Sequence, residues 1–328
     1  MEELLLEMNH LKSCFFTRKG VVPAVDDVSI QVPKGKIVGI VGESGCGKSM
    51  TAKSIMDLLK YPGRVVEGEI LLDGKDLTKL SARERRKVRG EEVSMIFQEP
   101  MTSLNPVVKV GKQVREAIMI HQKITKSEAR ERVLEVFRQV GISEPEKRYE
   151  CYPHELSGGL RQRVMIAMAM VCRPKLMIAD EPTTALDVTI EAQILKLIKE
   201  LCDTTGMSCL LISHNLGVIA QMCDYVYVMY AGKVVEQGDV YTLFDHPEHP
   251  YTRGLLASII RLENLPERLS TIPGVVPNLM HLPEGCAFCG RCAAAMERCQ
   301  KERPGLYEVG EGHHVRCFLT EEREAAHE

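Results

Sequence analysis

The spacing of apolar positions changes period several times along the chain, and each change predicts an element. Between residues 4 and 32 apolar and polar positions alternate loosely, with Leu4, Leu6 and Met8, then Val25, Val28, Ile30 and Val32. A period of two puts alternate side chains on opposite strand faces, so this stretch predicts short antiparallel strands broken by a turn at Lys19-Gly20. Ile37 to Val41 is a continuous apolar run, as a fully buried strand requires, and Met50 to Leu59 follows a helical pattern. Gly68 to Gly74 reads as a strand between turn glycines. Ser81 to Arg89 reads as a basic, solvated helix, and Val93 to Phe97 as an apolar strand ending at Gln98-Glu99-Pro100.

From residue 107 to 150 the beta alternation disappears. Val133, Leu134, Val136, Phe137 and Val140 recur at helical spacing, with Arg130 and Arg132 outside and Ser127 expected as the cap. This predicts a helical insertion in an otherwise α/β domain. Beyond it lie an apolar helix over Val164–Cys172, a strand from Leu176 to Asp180, and an amphipathic helix over Ile190–Leu201. A buried strand over Met207–Ser213 follows, then a hairpin of Tyr225–Tyr230 and Lys233–Glu236 around Ala231-Gly232.

Composition narrows the class. The 328 residues are enough for a sizeable core, and the formal charge of -3 gives no global basic field for nucleic acid. No apolar run approaches the roughly 18 residues of a membrane span, and Met1 to His10 is too acidic for a signal peptide. A cytoplasmic protein is expected, with any membrane role supplied by partners. Seven of the twelve cysteines lie between Cys14 and Cys223, mostly in apolar segments, and read as small buried hydrophobes. The other five crowd between Cys286 and Cys317, which in a reducing compartment suggests metal rather than disulfides.

The chemistry concentrates in Gly42-Glu43-Ser44-Gly45-Cys46-Gly47-Lys48-Ser49, placed between the Ile37–Val41 strand and the helix that Met50 continues. Strand, glycine-rich loop and helix are the context a phosphate loop requires. Glycines let backbone N–H groups curl around phosphate oxygens, and the helix start adds unpaired donors and a dipole. Lys48 can reach the terminal phosphates and the Ser49 hydroxyl can ligate magnesium. Leu156-Ser157-Gly158-Gly159 opens a second helix and makes a second anion site by the same logic. Two such sites far apart in sequence point to a composite site. Asp180 suits magnesium, Glu181 can polarise the attacking water, Gln98 can ligate magnesium and hold that water, and His214 can bond a γ-phosphate. Phe15 or Phe16 can stack on adenine; alternation sends them to opposite faces, and Phe15 is the expected platform.

Taken together, these motifs resemble the ATP-binding-cassette ATPases, the nucleotide-binding subunits of transporters. They run in that family's order: phosphate loop, Gln98, Leu156-Ser157-Gly158-Gly159, Asp180-Glu181, Ala185-Leu186-Asp187 and His214. Within it, Gln98 to Pro106 and the later stretch His249-Pro250-Tyr251-Thr252-Arg253-Gly254-Leu255-Leu256 are similar to the subfamily powering oligopeptide, dipeptide and nickel importers. Leu160 departs from the usual longer polar or sulfur side chain but leaves the Ser-Gly-Gly donors intact. The resemblance implies a RecA-like phosphate-loop core with an N-terminal antiparallel β subdomain and an inserted helical subdomain at about 100–165. The cassette would end near 240, with a separate extension over 241–328. It implies an ATPase binding ATP and Mg2+, with Gly42 to Met50, Phe15, Gln98 and Asp187 around the nucleotide. Ser49, Gln98 and Asp180 would serve magnesium; Lys48, Gln98, Glu181 and His214 would serve catalysis. Ser157, Gly158 and Gly159 would act on a second cassette's ATP. Implied partners are that second ATPase, two membrane permease subunits and an extracytoplasmic binding protein, with the chain at the cytoplasmic face. The alternatives are import of nickel or another small solute, a soluble ATPase of nucleic acid or ribosomes, and a regulatory iron–sulfur sensor. Tandem cassettes, coiled coils and basic surfaces are absent from the sequence, which argues against the second. The intact Glu181 and His214 argue against the third.

The tail is loop-rich, with Pro266, Pro273, Gly274, Pro277, Pro283 and Gly285 leading into Cys286, Cys292, Cys299 and Cys317. So few apolar residues leave room for a metal staple. The four-cysteine spacing is similar to that of peptide-importer ATPases carrying a 4Fe-4S cluster, with Cys289 as an extra. Zn2+ is the rival, since Cys286-x2-Cys289 and Cys289-x2-Cys292 both fit it and His313 and His314 lie nearby; free thiols are the third possibility.

Overall fold

The computed structural model describes residues 3–98, 103–184, 186–258 and 272–324, with side chains to 321. Glu99 to Thr102 of the glutamine stretch, Ala185 and Pro266 lie outside the described residues. The chain forms two compact units. One comprises 1–5, 33–36 and 77–210; the other comprises 6–32, 37–76 and 211–328.

The second unit is built on two sets of strands. β1 (Leu4–Thr17) and β2 (Gly20–Pro33) turn at Lys19-Gly20 as expected, but each runs for 14 residues rather than as short pieces. With β4 (Gly63–Leu72) and β5 (Lys75–Asp76) they form a sheet in the order β2-β1-β4-β5. β4 is antiparallel to β1, pairing Leu6 with Leu72 and Met8 with Ile70. Leu6, Met8, Leu11, Ile30, Ile70 and Leu72 are all fully buried, and this shared apolar face fixes the register, because a one-residue slip would turn it to water.

β3 (Ile37–Val41) is buried at every position, as the continuous apolar run requires, and lies parallel to β9 (Tyr225–Tyr230). β9 turns back into β10 (Lys233–Asp239) through Ala231 and Gly232, both at positive φ, which matches the right-handed twist of a two-residue hairpin. The tail extends this hairpin: β12 (His313–Val315) pairs with β10, and β11 (Tyr307–Gly310) pairs with β12. Buried Glu236 of β10 ties tail segments together. Its carboxylate accepts the backbone N–H groups of Glu248 and His249 at 2.7 and 3.1 Å and lies 2.9 Å from His313 Nε2.

In the first unit, β6 (Val93–Ile96) and β7 (Leu176–Asp180) run parallel and wholly buried, with Val93 opposite Leu176 and Ile96 opposite Ala179. α2 (Ala82–Glu91) begins at Ser81 with a capping box to Glu84. Residues 107–150 are helical as expected: α3 (Val110–His121), α4 (Lys126–Gln139) and α5 (Pro145–Tyr149). α4 is capped by Thr125 in a box with Glu128, not by Ser127, so the expected cap is corrected by two residues. The Thr-x-x-Glu spacing was the signal, and it satisfies two orphan donors where Ser127 would satisfy one. Gly111 lets α3 approach α5 closely, since a Cβ there would stand 2.2 Å from the Tyr149 ring. α6 (Gly158–Met170) and α7 (Val188–Thr205) complete the unit, and β8 (Ser208–Ser213) crosses the division between units.

Candidate functional site

The phosphate loop connects β3 to α1 (Lys48–Ile55). Its backbone needs glycine at two places above all. Gly42 and Gly47 have φ of 155° and 110°, and a Cβ would stand 2.2 Å from the Met229 carbonyl oxygen and 2.4 Å from that of Ala24 respectively. The loop therefore lies directly against the backbone of its neighbours. Cys46 is buried beneath it, and burial raises its thiol pKa. Ser44 and Gly45 are exposed. Lys48 is 5% exposed and donates from Nζ to the loop's own carbonyls, Gly42 at 2.7 Å and Glu43 at 3.1 Å. The ammonium is thus held in the cradle that an anion would enter. Ser49 and Met50 are half-buried on the first turn of α1.

In the same unit, Phe15 is half-buried, its ring against Gly63, where a Cβ would meet it at 2.5 Å. Phe16 is 40% exposed and its ring carries the Arg64 guanidinium 4.5 Å from its centre. The two rings diverge, as alternation predicts. His214 is exposed immediately after β8.

The first unit brings together the other candidates. β7 delivers buried Asp180, 3% exposed, and then Glu181. Glu181 takes up φ of 47°, a left-handed conformation that costs a non-glycine residue about 1 kcal/mol or more and that clusters at functional positions. Its carboxylate accepts from Gln98 Nε2 at 2.9 Å and from Thr184 Oγ1 at 3.0 Å. Neither pairing with Glu181 is evident from the motifs alone; for Thr184 the signal is a hydroxyl three residues past a strand-end carboxylate. Asp187 caps α7, accepting the Ile190 N–H at 3.0 Å. Ser157 caps α6, and Ser157 and Gly158 are exposed on it.

Two residues without an assigned role touch the phosphate loop. Arg291 places two guanidinium nitrogens on the Glu43 carboxylate at 2.6 and 3.0 Å, and the Tyr251 hydroxyl accepts the Glu43 N–H at 2.8 Å.

In the tail, all five cysteines from Cys286 to Cys317 line one small void beside His249 and Phe288. Burial, reinforced by neighbouring cysteines, pushes the Cys286 thiol up to about 11 and raises those of Cys292 and Cys317. Among the described residues, no three or more His, Cys, Asp or Glu side chains are grouped closely enough to hold a metal ion as they stand.

The loop, the strand-end carboxylates and the Ser-Gly-Gly helix start define an ATPase of the cassette class, and comparison with known proteins agrees. The ABC transporter family matches residues 25–184, and the family described as Oligopeptide/dipeptide transporter, C-terminal region, matches residues 235–299. The chain is 52% identical over 322 residues to the oligopeptide transport ATP-binding protein AppD of Bacillus subtilis, covering 98% of each protein. It is 49% identical over 313 residues to the dipeptide transport ATP-binding protein DppD of Escherichia coli, covering 95% of this chain and 96% of that one. Among solved structures, the dimeric ATP-binding cassette MJ0796 in a post-hydrolysis state with ADP and Pi matches with a TM-score of 0.64 at 26% identity, over 72% of this chain and 98% of that one. CbiO1 of Clostridium perfringens, part of the ABC transporter complex cbiONQ, also gives 0.64, at 28% identity over 75% and 92%. The chain belongs to the ATP-hydrolysing cassette subunits of ABC transporters, in the oligopeptide/dipeptide subfamily.

Proposed function

We propose that this ATPase powers uptake of di- or oligopeptides, as one of two cassettes beneath two membrane-spanning permease subunits fed by an extracytoplasmic binding protein. The names of its relatives support the peptide assignment. The dimeric, ADP-bound cassette among its structural neighbours supports pairing. No helix among the described residues is long and apolar enough to cross a membrane, which is in keeping with a peripheral subunit at the cytoplasmic face. The proposed division is a cassette to about 240 with its helical part at about 100–165, followed by the importer extension.

The observation that carries the mechanism is the geometry at Glu181: a strained strand-end carboxylate oriented by Gln98 and Thr184. Glu181 polarises the attacking water, and Gln98 and Thr184 hold the carboxylate in the productive rotamer. The loop N–H groups and Lys48 bind the phosphates, Phe15 stacks on adenine, and His214 senses the γ-phosphate. Met50 and Asp187 border the nucleotide. Ser157, Gly158 and Gly159 act on the partner cassette's ATP. Magnesium neutralises phosphate charge when bound. Ser49, buried Asp180 and Gln98, whose Nε2 bonds Glu181, are the residues proposed to hold it.

For the tail we propose a 4Fe-4S cluster held by Cys286, Cys292, Cys299 and Cys317, with Cys289 as a spare and Zn2+ as the competing metal. The thiols that line one void are the observation behind this reading, and the four-cysteine spacing favours the cluster. Its role is structural or for docking. Anaerobically purified protein is expected to be brown with about four irons per chain. Cys299→Ser loses the iron while Cys289→Ser retains it, and stoichiometric zinc without visible absorbance overturns the proposal. The substrate assignment is tested by uptake in vesicles bearing the chain and its native permeases. ATP-dependent accumulation of labelled di- or oligopeptide is expected; nickel accumulation with no peptide uptake overturns it.

A further inference from the structure

We propose that Arg291, on the cysteine-bearing turn, and Tyr251, in the tail's first long helix, are positioning residues for the phosphate loop, so that nucleotide affinity depends on the C-terminal region. This rests on reading Gly42 to Ser49 as the loop that binds ATP phosphates.

A loop with three glycines at positive φ has many conformers open to it when empty. Glu43 is the residue within it whose long side chain reaches out of the loop into the tail. Glu43 is held at each of its polar points. Its carboxylate takes a two-pronged bond from Arg291, its N–H goes to the Tyr251 hydroxyl, and its carbonyl accepts from Lys48 and from the Cys46 N–H. Two of these four restraints come from the tail.

Arg291 is itself fixed. It lies on the short turn Cys289–Arg291, its side chain only 6% exposed. Its Nε donates to the Pro273 carbonyl at 2.8 Å, and its guanidinium lies 5.8 Å from the Tyr230 ring centre and 5.9 Å from that of Phe288. Tyr230, Tyr251 and Phe288 in turn pack mutually, at 4.7, 5.2 and 5.4 Å between ring centres. The end of β9, the tail helix and the cysteine turn thereby form one block, and that block grips the loop. A planar fork matched to a carboxylate fixes orientation as well as position, which a lysine cannot do.

Loosening the grip leaves the chemistry intact but lowers the fraction of loops in the binding geometry, and apparent affinity falls by that fraction. Arg291→Met preserves length and removes the fork. It is expected to raise the dissociation constant for MgADP by about tenfold and KM for ATP similarly, with kcat at saturating ATP within about twofold of wild type. Glu43→Gln weakens binding to a similar degree, and the double variant is no worse than either single one, as one shared interaction requires. Arg291→Lys and Tyr251→Phe fall between. Arg298→Met is the control for general damage to the tail. Arg298 pairs with Glu302 and Glu321 and stacks on Phe318, and its loss leaves MgADP affinity unchanged.

Additive losses in the cycle, or equal losses in Arg291→Met and Arg298→Met, overturn the proposal. Should Arg291→Met fail to fold, Glu43→Gln and Tyr251→Phe probe the same grip from the loop and from the helix. Wild-type MgADP affinity in both overturns it. Lys48→Ala separates the two assignments: unchanged MgADP affinity there removes the phosphate-loop reading itself, whatever Arg291 does.

Discussion

At the scale of single residues, the chemistry of the loop is local and therefore legible. Gly42, Gly47 and Lys48 are close in sequence, so the motif they form can be read from one short stretch. The Arg291–Glu43 pair spans 248 positions, and nothing in a chain with 42 basic and 45 acidic residues singles out that pairing. His249 is similar: the motif around it was visible but its job was not. Its Nδ1 accepts the Tyr251 N–H at 3.0 Å and caps the helix from Pro250 to Ala257. Full burial lowers its pKa from 6.5 to about 4. The fold therefore favours the neutral ring. Its contribution is complete above the unfolded value of 6.5 and is lost as pH falls from there towards about 4, to a total on the order of 3 kcal/mol. His249→Asn keeps a capping oxygen but cannot titrate. Its urea midpoint is expected to fall less than the wild-type midpoint between pH 7 and 5; equal slopes would remove His249 as the source.

At the scale of elements, continuous apolar runs and helical periods located the strands and helices well, because burial on both faces leaves little else for Ile37–Val41 or Leu176–Asp180 to be. Ends were harder. Thr125 and Ser127 both suit a cap, and only the reciprocal bond with Glu128 decides between them. Thr125→Ala is expected to cost about 1 kcal/mol in urea unfolding, and Ser127→Ala within about 0.5 kcal/mol of nothing. The reverse order would return the cap to Ser127. The tail's strands were not legible at all. β12 has three residues and becomes a strand only because β10 offers it an edge.

At the scale of the whole molecule, the tail is part of the second unit, contributing strands beside β10 and two restraints on the phosphate loop. The order of motifs along the chain is enough to read an ATPase; which groups orient which is set by contacts between residues far apart in sequence. The central claim is that this chain hydrolyses ATP with Glu181 as the group that activates water. The most direct measurement is the turnover of Glu181→Gln beside its affinity for MgATP. A lost general base is expected to slow hydrolysis by about 10³-fold while the dissociation constant stays within about threefold, so that ATP-bound dimers accumulate. Turnover within about tenfold of wild type would contradict the account.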